Sequence, residues 1–193
     1  MIETSTNLAG VLEIRQLDGG VGELSGRFPY NSITKVNGRF EMFAHGAFQG
    51  TIRSAEAEVN LLANHDYTKP LANRSGGSLE LREVDDCFEF CAKLDLNDAP
   101  EWVLNTYNAV RKGLMKGVSP GFIVARNGEK REMRRSVRAV RVITEAVLKE
   151  ISIVTAPAYD HTTAEARKIE LMLDGNRHTS YVYGFDKYLH GLL

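Results

Sequence analysis

Residues 111–125 read "RKGLMKGVSPGFIVA": a helical pattern runs out into glycines, a serine and an apolar run. Within it, Gly117–Gly121 matches G-x-S-x-G, the pattern of a serine held on a sharp turn. Gly, Ser and Pro are also common turn residues, so the pentapeptide alone fits a plain turn better than a nucleophile site. Its surroundings choose the scaffold. In an α/β-hydrolase the serine leaves a strand and opens a helix, and the catalytic histidine comes last in the chain. Here the helix precedes Ser119 and the strand-like "GFIVA" follows it. The late histidines His161, His178 and His190 stand in no diagnostic setting, and the strand–helix alternation of a parallel sheet is missing. That scaffold is excluded.

The flanks supply the rest of the fold. Before the serine, "LNDAPEWVLNTYNAVRKGLM" predicts a helix, with Asn97 or Asp98 as cap, Pro100 in the first turn and Gly113 at the end. Val103, Tyr107, Val110 and Leu114 fall at helical spacing on its apolar face. Earlier still, "SGGSLELREVDDCFEFCAKLDL" predicts a hairpin turning at Asp85–Asp86. "AEVNLLANHD" predicts a strand ending near Asn64, and "MFAHGAFQGTIRS" a loop with a short helical turn. "AGVLEIRQLDGGVGELSGRFPYNSIT" reads as strands and turns. After the serine, the basic "RNGEKREMRRSVR" reads as a solvated loop or hairpin tip, and strands resume in "VRAVRVITEAVLKEISIVTAP". "TAEARKIELML" has helical spacing, and an aromatic tail follows. Many strands and few helices predict an α+β fold, mostly antiparallel sheet or a small barrel.

The bulk composition narrows the function. A chain of 193 residues, 43% hydrophobic and 25% charged, can bury a real core as one domain with a tail. A net charge of −1 gives no general pull toward nucleic acid or membrane, and neither partner is expected. No apolar run reaches the ~18 residues a membrane span needs. "MIETSTNLAG" lacks the basic start and apolar stretch of a signal peptide, so a reducing cytosol is expected. Cys87 and Cys91 lie four residues apart on one strand, about 13 Å, too far for a disulfide. No second Cys/His cluster offers a metal site, and both cysteines read as structural. No cofactor is expected.

Two groups could serve Ser119. His65, between Asn64 and Asp66 at a strand end, could accept a proton near neutral pH, or could simply be a surface histidine. His45, in the glycine-bounded "FAHGAF", competes for that role. In "TEAVLKEISIVT", strand alternation places Leu148, Glu150, Ser152 and Val154 on one face. A carboxylate among apolar flanks is costly if buried without a partner, which makes Glu150 a candidate to orient the histidine. The alternative is that Glu150 faces solvent, with Glu145 or Asp66 as the acid.

Together, "FAHGAFQGTI", "VNLLANHDYTKPLANRSGG", "KGLMKGVSPGFIV" and "LKEISIVTAPAYDHT" resemble the prohead maturation proteases of tailed bacteriophages (caudoviruses), a family related in fold to the herpesvirus assembly proteases. The resemblance covers roughly residues 20–166, in the family's order, and implies a protease domain over residues 1–166 with a C-terminal helix or tail over 167–193. It implies a herpesvirus-protease-like fold, Ser119 as nucleophile and His65 as general base. The herpesvirus relatives have a second histidine where this chain has Glu150, a departure that chemistry tolerates because a carboxylate also stabilises imidazolium. Their oxyanion-hole arginine has no counterpart in "TAPAYD", so backbone N–H groups or Arg167 must take that role. The implied substrates are the scaffolding segment of the major capsid protein and the protease itself, inside the assembling procapsid in the host cytoplasm. A homo-oligomer stays open, since the herpesvirus relatives act as dimers. Two other readings stay open as well: a non-catalytic scaffold or capsid-binding protein of the same fold, and a different serine hydrolase such as an esterase.

Overall fold

The computed structural model describes residues 3–4, 12–36, 39–134 and 139–155. The expected boundary at 166/167, the helix in "TAEARKIELML", Arg167 and the aromatic tail lie outside the described residues. In chain order the strands are β1 (Glu3–Thr4), β2 (Leu12–Gln16), β3 (Val21–Pro29), β4 (Thr34–Val36) and β5 (Arg39–Phe43). Helix α1 (Gln49–Arg53) precedes β6 (Asn60–Ala63), β7 (Asp66–Asn73), β8 (Leu79–Val84) and β9 (Cys87–Asp95). Helix α2 (Glu101–Arg111) leads into β10 (Gly117–Val124), β11 (Glu129–Glu132), β12 (Val140–Ile143) and β13 (Ala146–Val154). The strands form three sheets, ordered β1-β10-β13-β6-β7, β11-β12-β5-β4 and β2-β3-β9-β8. Mostly β with two short helices, this is an α+β arrangement.

The pairing is mostly antiparallel, as the sequence predicts, with two exceptions among the described residues. β12 pairs parallel with β5, and β13 parallel with β6, while the other described pairings are antiparallel. Parallel neighbours need long connections, and both pairs join segments far apart in the chain. Local hydrophobic patterning carries no trace of such a partner.

The helix differs from expectation at both ends. Pro100 occupies the cap position, without a side-chain cap bond. Asn97 instead donates its side-chain N–H to Gly19 O at 2.8 Å and its backbone N–H to Asp95 Oδ1 at 2.9 Å. Val103, Tyr107 and Val110 are buried, but Leu114 is 61% exposed. The chain turns at Gly113, whose φ of 69° favours glycine, before Leu114 can join the helical face.

An aromatic cluster ties the three sheets together. Phe28 of β3 and Phe88 of β9 stack at 5.3 Å, and Phe48, just before α1, meets Phe28, Phe43, Phe88 and Phe122. Phe122 lies on β10, three residues past Ser119, so the strand carrying the serine is pinned from below by this core. Phe88, Phe90, Ala92 and Leu94 are buried on one face of β9 as their alternation predicts, and Cys87 and Cys91 are free and half-buried. Among the described residues no helix is long and apolar enough to cross a membrane.

Candidate active site

Ser119 sits in the middle of β10, directly opposite Ser152 of β13. Cross-strand partners project from the same face of a sheet, and Glu150 shares that face with Ser152, two residues away. Between Gly121 and Phe122 the register shifts: Gly121 opposes Glu150, Phe122 opposes Leu148, and Lys149 is the extra residue of a bulge. The bulge corrects the expectation that Leu148 shares a face with Glu150. One inserted residue reverses the alternation, so Leu148 joins Ile151 and Ile153 in the core, while Glu150 and Ser152 point away with Ser119. The Leu148 N–H, at the bulge, donates to Thr51 Oγ1 of α1 at 3.0 Å.

Space for the Glu150 side chain comes from Gly121. A Cβ on Gly121 would run into the Glu150 carboxyl group, whose Cδ would lie 2.7 Å away. The second glycine of the G-x-S-x-G match is therefore required by the acid beside it rather than by a sharp turn, because the whole pentapeptide is extended strand.

His65 arrives from the other side of β13. β6 runs parallel to β13, with Leu62 beside Ser152 and Ala63 beside Ile153. The chain then reverses in two residues, Asn64 and His65, between the paired Ala63 and Asp66. Both turn residues have positive φ, 52° and 60°, as in a type I′ hairpin turn. Asn tolerates that region well, while a histidine there is held against its preference. Two bonds hold it. The His65 backbone N–H donates to Ser152 Oγ at 2.9 Å, and the ring Nδ1 lies 2.7 Å from Glu150 Oε1. Ser152 Oγ in turn donates to Glu150 Oε2 at 2.7 Å.

Burial sharpens the chemistry. Ser119 and Ser152 have no exposed surface, Glu150 is 1% exposed and the His65 side chain 14%. The solvent-facing alternative for Glu150 is thus wrong, and its burial is tolerable because both carboxylate oxygens are bonded. An ionised carboxylate only accepts, so the Nδ1 facing it carries the hydrogen and Nε2 of a neutral ring keeps a lone pair for a proton. Glu150 also acts at a distance: the Tyr67 hydroxyl is pushed above its ordinary range, first by burial and second by the charge of Glu150.

The competing residues are placed elsewhere. Asp66 bonds Thr68 Oγ1 at 2.6 Å and Lys69 Nζ at 3.0 Å. Glu145 is exposed in the turn before β13. His45 is exposed, its ring 5.8 Å from that of Tyr30. Ser152 and Gly121 are the two site residues that sequence reasoning missed. A serine two places from the candidate acid on one strand, and a glycine opposite it, were signals of a kind, but only the register makes them neighbours. Among the described residues no group of three or more His, Cys, Asp or Glu side chains is placed to hold a metal ion.

A buried serine on a strand, a histidine and a carboxylate bonded to its Nδ1 are the parts a serine peptidase needs, and along the chain they stand in Asn-His-Asp, Ser-Pro-Gly-Phe and Glu-Ile-Ser. The family model for caudovirus prohead serine proteases matches residues 12–174. The chain belongs to the caudovirus prohead serine proteases. No curated protein and no solved structure matches it. The matched span takes in every element from β2 to β13, and so includes both the serine strand and the His65 turn. Prohead proteases act in the assembling procapsid of a phage, which gives a peptidase of capsid maturation as the coarse function.

Proposed function

We propose that this prohead protease is a serine endopeptidase in which Ser119 is the nucleophile, His65 the general base and Glu150 the residue that orients and charges the base. The single observation that carries the reading is the 2.7 Å contact between His65 Nδ1 and buried Glu150 Oε1, two residue pairs along the ladder from Ser119 on the adjoining strand. His65 Nε2 takes the Ser119 proton as Oγ attacks the peptide carbonyl and forms a tetrahedral intermediate. Collapse expels the amine, to which His65 returns the proton, and leaves an acyl-enzyme. Water, deprotonated by the same ring, then releases the acid. Glu150 stabilises the imidazolium that forms at each step and stays ionised throughout. Oxyanion donors come from backbone N–H groups or from Arg167, since the residues after β13 hold no nearer arginine; one such donor is worth about 3 kcal/mol of transition-state stabilisation.

The substrates proposed are the scaffolding segment of the major capsid protein and the protease itself, cut inside the procapsid in the host cytoplasm. Ser119 has no exposed surface, so a peptide carbonyl reaches its oxygen only after what covers it moves aside. Such a requirement suits a protease that must stay silent until it is enclosed with its substrate.

The test is co-expression with the cognate major capsid protein, comparing wild type with Ser119→Ala by gel and intact mass. Trimming of both proteins by wild type alone supports the reading, and the masses give the bonds cut. Equal trimming by the variant removes Ser119 from the role of nucleophile.

A further inference from the structure

One hydroxyl binds two of the three proposed catalytic groups and stands opposite the third. Ser152 Oγ donates its only hydrogen to Glu150 Oε2 at 2.7 Å and accepts the His65 backbone N–H at 2.9 Å, while Ser152 itself is the ladder partner of Ser119. We propose that Ser152 is a positioning residue of the protease, locking both the acid and the base in register with the nucleophile; the inference rests on the assignment of Ser119, His65 and Glu150.

Each bond has a consequence for the base. A carboxylate can turn about its last side-chain torsion, a broad and nearly two-fold rotation. With Oε2 tied to Ser152, Oε1 stays aimed at His65 Nδ1, and the ring keeps its hydrogen on Nδ1. The second bond fixes the main chain of His65, whose φ of 60° is one that few residues other than glycine adopt without support. Because the same oxygen makes both bonds, one residue on the neighbouring strand constrains the acid and the base together. Ser152 lies between Ile151 and Ile153 and has no exposed surface, so its hydroxyl makes no contact with solvent. A buried hydroxyl without partners would be unfavourable there, and it has two.

The test compares initial rates of capsid-protein trimming on co-expression for wild type, Ser119→Ala, Ser152→Ala, Glu150→Gln and the double variant Ser152→Ala/Glu150→Gln. Thermal melting of each purified chain accompanies the rates. Removing one charge-assisted bond should slow Ser152→Ala by about ten- to a hundredfold. The part of its effect that passes through Glu150 should disappear once Glu150 is already Gln, so the double variant should lose clearly less than the product of the two single losses. NMR of isotope-labelled imidazole should show the Nδ1–H tautomer of His65 in wild type and a mixture in Ser152→Ala, a change that lower stability alone would not cause. Wild-type rates in folded Ser152→Ala would overturn the proposal, as would losses that multiply in the double variant. If Ser152→Ala does not fold, Ser152→Cys keeps the size with a weaker donor: slowed trimming in the folded Cys chain upholds the proposal, and an unchanged rate overturns it. Ser119→Ala separates the two levels of inference. If it trims like wild type, the assignment of the nucleophile fails and takes this proposal with it; if it is inert while Ser152→Ala is fully active, only the role of Ser152 fails.

Discussion

Glu150 and Asp66 are both carboxylates that could serve His65, and their surroundings separate them. Asp66 is only partly exposed and is held down at about 2 by hydrogen bonds from Thr68 first and Lys69 second. A depressed carboxyl contributes stability above its ordinary titration range and loses it as pH falls toward the folded value. Nothing about Asp66 therefore changes near neutrality, and Asp66→Asn should leave the trimming rate within about twofold of wild type. Glu150→Gln, in contrast, swaps an acceptor for an amide that no longer selects the ring tautomer, and should slow trimming between about a hundred- and ten-thousandfold. Gly121 belongs at this scale too. Gly121→Ala puts a methyl group where the Glu150 carboxyl lies, so it should cost about 1–3 kcal/mol in a melting experiment and abolish trimming even where the chain still folds. A Gly121→Ala protein with full activity would mean that Glu150 sits elsewhere.

At the scale of elements, the turn that carries His65 and the bulge at Lys149 do the positioning. Asn64 is at φ 52°, a region that a β-branched residue enters only with strain of about 1–2 kcal/mol. Asn64→Val should thus lower the melting temperature and cut trimming, while Asn64→Gly should preserve both; equal behaviour of the two would show that the turn conformation is unimportant. The strands, hairpins and helix were largely legible in the sequence, because alternation in "CFEFCAKLDL" and helical spacing in "EWVLNTYNAV" report burial directly. The acid at Glu150 was visible as a carboxylate among apolar residues. The bulge was not, since an inserted residue leaves no mark on a single strand and shows only in the pairing with β10. Nor was β7, an edge strand whose Pro70 and run of exposed residues from Tyr67 to Pro70 hide the hairpin that turns at Asn64 and His65. The role of Ser152 also escaped, because it depends on β6 lying parallel beside β13, a contact between residues almost ninety apart in the chain.

Across the whole molecule, the site depends on the core that carries its strands. Phe48 is wholly buried and meets aromatic rings from β3, β5, β9 and β10, joining the sheet of Ser119 to the β3–β9 sheet. Phe48→Ala should cost about 3–5 kcal/mol and lower the melting temperature in one cooperative step, with trimming lost in proportion to unfolding rather than through the site. The two thiols report on the same integrity: burial, and then nearby carboxylates, push both Cys87 and Cys91 up. Alkylation of the native chain near neutral pH should be slow and should accelerate on unfolding; rapid labelling of the folded protein would contradict their placement on β9.

The nucleophile itself is most directly tested inside particles that are processing their own capsid protein. Procapsids assembled with wild-type protease would be treated with a small fluorophosphonate and the adduct mapped by peptide mass. The predicted result is loss of trimming with one phosphonyl group on Ser119, and no adduct when His65→Ala replaces wild type. Inhibition with the adduct on another residue, or none on Ser119, would contradict the account.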